Sequence, residues 1–453
     1  MKKFATMEES RFLKLFFAAI SLCFVIAAFL MPDRSTAFSG VWKIMSSTCK
    51  ISTNYFALGG FAATFLNMGL VGLFCTALFW LPGAKANNVS TLGVLLTVGF
   101  ASWGMNILNM ILTVLGVCLY ALVKKEKLCS VANAMLYSTG IAPLISDLLL
   151  RYPSAEYVGF NPLGLILGLF VGLIIGFFLP AGLAHAPNIH KGYDHYSAAV
   201  PIGFTAFFLR AVLYNVMLGT TPAKQELSTM AALDVVSFPM TNIFCFVVFD
   251  LCIVAALLMG CTPKDYWKLM KDSGHGVSFT TKYGNAPFLM NVGIFGLMIV
   301  AYFNLAGAID GTNVWTGMTL GIVFCMLATC NSGSHPGNVW PIMAGYMITS
   351  FLFGWINSLL GGSFSLTIGN QSILIGLCYA NGLSPVAGKY GWGCGILAGG
   401  LHYLLVTAVP DLHGGFCLYN GGLTAALVCL LLVPQLERFL RTKEDRRAAR
   451  ISK

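Results

Sequence analysis

The sequence predicts an all-α polytopic membrane protein, with about 12–14 transmembrane helices arranged as two inverted structural repeats. Three observations carry this. Hydrophobic residues make up 57% of the 453 positions and charged residues only 10%, far from the balance of a water-soluble domain. Many windows hold 18 or more consecutive, mostly apolar residues. They are apolar on every side rather than alternating, which selects helices over a closed barrel. Finally, the polar stretch "PNIHKGYDHY" (187–196) has a near copy in "PDLHGGFCLY" (410–419), 223 residues on.

Taken in order, the apolar periodicity places spans near 12–31, 56–80, 88–103, 106–123, 129–147, 160–183, 195–218, 234–260, 285–304, 313–329, 338–360, 370–387, 391–409 and 415–435. The first is expected as an uncleaved helix, since no small-x-small cleavage site follows it. The third and fourth are separated by "SWGMN" (102–106), where one long helix with a break is the alternative. "CNSGSHPGNVWP" (330–341) is too polar and too rich in Gly and Pro for a helix interior, so two spans flank it.

The net charge of +10 comes from clusters between or beyond the spans: "MKKFATMEESRFLK" at the start, "KKEK" (124–127), 264–282, and "RFLRTKEDRRAAR" in the tail. That is the signature of cytoplasmic loops, not of a nucleic-acid surface. Fourteen crossings from an inside N-terminus return the basic tail to the inside. The same count leaves "GGSFSLTIGN" (361–370), which carries no charge, outside. The expected location is a cell membrane, multi-pass, with both termini cytoplasmic and the lipid bilayer as the main partner.

Further pairs follow the opening copy in the same order. "FLNMGLVGLF" (65–74) resembles "FLMNVGIFGL" (288–297), "LPGA" (81–84) meets "LAGA" (305–308), and "NVST" (88–91) meets "NVWT" (313–316). "YSTGIAP" (137–143) meets "YANGLSP" (379–385), and Gly172 and Gly176 meet Gly395 and Gly399. The expected organisation is an N-terminal helix and loop (1–55), a first repeat (56–218), a linking helix and cytoplasmic loop (219–284), a second repeat (285–435) and a basic tail (436–453). Equivalent points lie seven crossings apart. That odd number turns the second repeat upside down relative to the first.

The paired Gly/Pro segments are the leading site candidates. Gly and Pro inside a short apolar span break the helix and free backbone groups. Broken helices at matching places in two halves point to a transporter's binding site. Tyr137, Ser138, Thr139, Gly140 and Pro143 in the first half, and Tyr379, Asn381, Gly382, Ser384 and Pro385 in the second, are expected to meet a solute. The alternative is a structural kink or a tight loop at a membrane surface. His190 and His413 are equivalent, as are Tyr196 and Tyr419. With Asn420 they add polar groups at helix starts, where capping is the simpler role.

Arg210 ("FFLRAVLYN") and Asp250 ("FVVFDLC") are intramembrane charges on consecutive spans and are expected to pair. Asp147 and Lys389, four residues after their prolines, are read as solvated span ends, and "NSGSHPGN" (331–338) as a re-entrant turn or a loop. The 14 cysteines form no metal-binding spacing and read as small apolar fillers. No HExxH, GxSxG or Walker loop is present, and no cofactor or metal is expected.

The run "NGLSPVAGKYGWGCGILAGGLHYLLV" (381–406) with "DLHGGFCLYNGGLTAALV" (411–428) resembles an uncharacterised family of bacterial membrane proteins about 450 residues long, known only as a domain of unknown function. The resemblance extends over nearly the whole chain. It implies a multispan bacterial inner-membrane protein and no activity. The first half departs from the second motif with "HKGYDHYSAA". A fainter likeness in architecture is to urea channels, which share inverted halves and a helix start similar to "GFCLYNGG" (415–422). Their paired "NNP" signature is absent.

The expected function is therefore a transporter or channel for an unidentified small polar solute. A membrane-embedded enzyme acting on a lipid-like substrate and a non-transporting scaffold are the alternatives. An enzyme would show a one-sided cluster of acids or histidines, and a scaffold would not need paired helix breaks. An oligomeric assembly is compatible with this reading.

Overall fold

Each expected span falls on a helix in the computed structural model, which describes residues 1–50, 53–222, 237–315 and 317–451. In chain order these are α1 Glu9–Leu30, α2 Phe61–Leu78, α3 Asn88–Phe100, α4 Ile107–Lys124, α5 Leu128–Leu150, α6 Pro162–His185, α7 Ala199–Val216, α8 Ser237–Leu258, α9 Asn285–Asp310, α10 Thr319–Asn331, α11 Pro336–Leu359, α12 (371–390), α13 Trp392–Val406 and α14 Asn420–Phe439. Ten helices are long and apolar enough to cross a membrane, and no strand occurs among the described residues. The protein is a polytopic helical membrane protein. Part of the expected linking segment (223–236), the start of the expected 234–260 span and Thr316 of "NVWT" lie outside the described residues.

The helices α3 and α10 are 13 residues each, about 20 Å of rise, which is short of a hydrocarbon core of about 30 Å. Every residue of α10, and all of α3 from Ser90 on, is buried. The two cross each other antiparallel at the centre of the molecule. Gly99 faces Gly321 so closely that a Cβ on either would stand 2.5 or 2.2 Å from the other's carbonyl oxygen. Cys325 Sγ reaches Leu96 O at 3.5 Å, and Asn331 Nδ2 reaches Thr91 Oγ1 at 3.2 Å. Only glycine allows that approach.

Both short helices end in the same built turn. Asn67 of α2 donates to Ala101 O (2.7 Å) and Met105 O (2.8 Å) across the turn before α4. Asn291 of α9 donates to Cys330 O and Ser334 O, both at 2.9 Å, across the turn before α11. Each following helix opens with a reciprocal cap, Asn106 with Asn109 in α4 and His335 with Asn338 in α11. The amides of Asn109 and Asn338 also close on Gly104 O (3.0 Å) and Gly333 O (2.9 Å). Inside an apolar bundle a turn is tolerated only when its freed carbonyls find donors, and these asparagines supply them.

Other pairings recur in the same way. The helix α1 packs on α2 as α8 packs on α9, and α4 packs on α6 as α11 packs on α13. Gly60 and Gly284 precede α2 and α9 with φ of +91° and +89°. The short helices 37–45 and 263–269, then 55–59 and 279–283, come before them in the same order.

The breaks at "YSTGIAP" and "YANGLSP" are milder than expected. Residues Thr139–Ile141 and Asn381–Leu383 form single 3₁₀ turns between α-helical segments, not unwound chain.

Candidate functional site

The carbonyls loosened by those turns are taken up within the chain rather than left for a solute. Gly140 O accepts from Leu418 N at 2.9 Å, and Gly382 O accepts from His195 N at 3.2 Å. The polar segment of each half therefore docks on the broken helix of the other half. Tyr419 lies over Gly140 and Tyr196 over Gly382, each so close that a Cβ on the glycine would meet the ring at 2.5 Å. Tyr379 OH donates to Leu418 O at 2.7 Å, and Tyr137 OH to Val89 O at 2.7 Å.

The expected site side chains divide accordingly. The Ser138 and Thr139 hydroxyls donate back to Met135 O and Leu136 O. Pro143 and Pro385 open the helical segments after the breaks. Asn381 is fully engaged. Its Oδ1 accepts from Tyr196 OH (2.9 Å), and its Nδ2 donates to Met326 O (2.5 Å) and Thr329 Oγ1 (3.0 Å). Ser384 Oγ pairs with Ser334 Oγ (3.0 Å) and lies 3.4 Å from His195 Nε2. Asn420 Nδ2 reaches Cys417 O at 3.4 Å.

The two polar segments sit at opposite ends of α7 and α14. The 187–196 segment precedes α7 and meets the end of α14 through a Lys191–Glu437 ion pair of 2.5 Å, while His275 Nε2 approaches Lys191 O at 2.9 Å. The 410–419 segment precedes α14 and packs against Arg210 and Pro222 beyond the end of α7. Around the first, a cavity of about 400 Å³ is walled by Asn88, Tyr137, His190, Asp194, His195, Ser197, Ser278 and Ser332. It reaches the recessed start of α3. Around the second, His413, Phe416, Cys417, Leu418 and Tyr419 are each at most 1% exposed, while Asp411 and Leu412 face outward. A larger cavity of about 680 Å³ lies between α6 and α7, but Phe177, Phe178, Phe204 and Phe208 line it, which suits lipid.

Within the polar cavity His190 Nε2 lies 2.9 Å from Ser197 Oγ, and its Nδ1 accepts from Gly192 N. His190 is 2% exposed and held between these two partners. Asp194 Oδ1 accepts from Tyr196 N at 2.9 Å, while its Oδ2 is buried without a hydrogen bond. One wall, Gly276–Ser278, is tethered by Glu9, whose carboxylate takes hydroxyls from Ser278, Thr280 and Thr281. Thr280 N continues to Asn331 Oδ1 at 2.9 Å, which ties the tether to the end of α10.

The expected Arg210–Asp250 pair does not form. No ion pair joins them among the described residues. Asp250 is exposed on the outer stripe of α8 that also carries Ile243, Val247, Leu251 and Val254, and Arg210 lies beside Gly414 with Nε buried and unpaired. Consecutive spans need not be neighbours, and α7 and α8 are not. Asp147 is likewise not a solvated end: it is buried, ion-paired to Arg151 and hydrogen-bonded by Tyr214. Lys389 stands 5.6 Å over the Tyr193 ring. Among the described residues no cluster of three or more His, Cys, Asp or Glu could hold a metal.

Sequence reasoning missed Asn67, Asn291, Asp194, His195 and Ser332. The asparagine signal was present, one residue out of register: the straight pairing of "FLNMGLVGLF" with "FLMNVGIFGL" puts Asn67 opposite Met290. Asp194 and His195 were visible as a difference, since the second copy has Cys417 and Leu418 there.

The chain is a multi-pass membrane protein, and it belongs to the family described as Protein of unknown function (DUF1576), which matches residues 33–217 and 260–438. Those two stretches leave out α1 and α8. No curated protein and no solved structure matches the chain.

Proposed function

We propose that this protein carries a small polar solute across the membrane, using two inverted halves of seven helices each, α1–α7 and α8–α14. The observation that carries the proposal is the antiparallel crossing of α3 and α10. These helices hold matching places in the two halves and end in the same asparagine-clamped turn. Equivalent helices run parallel when halves are related by an axis along the membrane normal, and antiparallel when the axis lies in the membrane plane. The pairing of α1 with α2 and of α8 with α9 supports extending each half to include α1 and α8.

The cavity at the 187–196 end and the close packing of His413 and Phe416–Tyr419 at the other fit one state of an alternating cycle. The basic tail, the 261–284 loop and the N-terminus gather at the cavity end through Lys443–Ala387 O, His275–Lys191 O and Glu9–Ser278 contacts. By the positive-inside rule that end is cytoplasmic, which makes this an inward-open form.

The test is sidedness. In a chain freed of reactive cysteines, Asn188→Cys should label only from the cytoplasm and Asp411→Cys only from outside. Labelling of both from one side would mean an even number of crossings and would sink the inverted architecture. Uptake of small polar solutes into proteoliposomes then tests transport directly. Its absence for every solute class tried would remove the functional reading while leaving the topology.

A further inference from the structure

The two polar segments share a backbone. Gly192 and Gly415 both have φ +77°, and His195 and Leu418 each donate N–H to the other half's loosened glycine carbonyl. On this common frame one half carries Asp194–His195 where the other carries Cys417–Leu418. The acid and imidazole are therefore not required by the fold, which builds the same turn without them. They occur only in the segment that lines the open cavity.

Asp194 is 2% exposed, lines that cavity, and leaves Oδ2 without a donor. Among the described residues no ion pair reaches it, and Lys191 is paired with Glu437. The titratable groups around it are His190, His195, Tyr196, Tyr137, Cys429 and, farther off, His275. Among the described residues no group of three or more His, Cys, Asp or Glu is placed to hold a metal here. A lone buried carboxyl among imidazoles is suited to holding a proton. Beside it, His195 Nε2, Ser384 Oγ and Ser334 Oγ form a chain of 3.4 and 3.0 Å steps toward the centre of the molecule.

We propose that Asp194, with His195 beside it, is a proton-binding site on the open cavity, and that loading it shifts the protein between its two accessible states. The carboxylate takes a proton from cavity water on Oδ2 and returns it when the surroundings become more basic, with no other bond made or broken. Burial pushes the carboxyl up to about 7, opposed by the Tyr196 amide, so the exchange falls in the neutral range. The purpose of the site rests on the transport reading, whereas its chemistry does not.

The experiment has two arms on the whole reconstituted chain. Infrared titration should show a protonated-carboxyl band that disappears with a midpoint near 7 and is missing from Asp194→Asn. Asp194→Glu should restore a titrating band. In the second arm Ser332→Cys, on the cavity wall, is labelled in a chain freed of other reactive cysteines. The rate, taken relative to that of a free thiol at the same pH, should change at least about fivefold between about pH 6 and pH 8, and Asp194→Asn should flatten that change. A spectrum in which Asp194→Asn removes no titrating carboxyl overturns the site. Equal pH slopes for Ser332→Cys with and without Asp194→Asn overturn the coupling. Neither arm needs a transported solute, so failure of the solute-uptake test leaves both readings distinct.

Discussion

Replacing Asn291 by Ala removes both donors from the turn between α10 and α11. Cys330 O and Ser334 O, each 2.9 Å from Asn291 Nδ2, then lose that partner at residues that are themselves fully buried. A buried polar group left unpaired costs about 1–3 kcal/mol in water-soluble proteins. Interhelical hydrogen bonds in membranes average about 0.6 kcal/mol, with a maximum near 1.7. Two such bonds place the loss at about 1–4 kcal/mol. Asn291→Asp is the sharper control. It keeps the shape but turns an acceptor toward two acceptors, so it should destabilise at least as much as Ala. Unfolding in mixed micelles, followed by tryptophan fluorescence, measures both. Asn67→Ala breaks the corresponding pair of bonds to Ala101 O and Met105 O and should cost about the same. The two clamps share no partner, so the double variant should be additive within about 0.5 kcal/mol. A loss under about 0.5 kcal/mol for Asn291→Ala, or an Asp variant as stable as wild type, would refute the clamp.

Two further outcomes follow from the geometry. Tyr196→Phe should destabilise by about 1–2 kcal/mol, because it removes the one O–H donor facing Asn381 Oδ1 at 2.9 Å, with Cys378 O and Cys325 O as farther acceptors of the same proton. Tyr419→Phe should cost less than Tyr196→Phe, because the buried Tyr419 hydroxyl has Thr139 beside it but no hydrogen bond of good geometry. Equal losses in chemical unfolding would contradict this difference. Asp272, by contrast, is a loop anchor: burial raises its carboxyl, but hydrogen bonds from Lys282, Tyr283 and Gly274 prevail and hold it below the usual range. A depressed acid stabilises above its unfolded pKa, about 3.9, and the contribution fades as pH falls through the folded value. Wild type should therefore exceed Asp272→Asn in melting temperature at neutral pH and converge with it below about pH 4. A gap that persists in acid would exclude the ionised carboxylate as its source.

The legibility of the site followed the range of the interactions involved. "YSTGIAP" and "YANGLSP" were readable as breaks because Gly and Pro act on their own backbone. Their partners were not readable: nothing local tells Gly140 that Leu418 will take its carbonyl, or Gly382 that His195 will. The Arg210–Asp250 expectation failed for the same reason. It took sequence neighbours for spatial ones, while Asp250 turned outward and Arg210 met Gly414.

By itself the sequence determined that this chain lives in a membrane, where its helices lie, and that it says much the same thing twice. Hydropathy and charge act residue by residue, and a bilayer sorts them along one axis, so a linear text suffices. Only the tertiary structure decided that α3 and α10 cross at Gly99 and Gly321, that Asn67 and Asn291 close the turns, and that each polar segment serves the opposite half. Within lipid every helix is apolar, and hydrophobicity cannot choose between neighbours. That choice falls to close backbone approach at glycines and to a few buried hydrogen bonds between residues more than 30 positions apart in the chain.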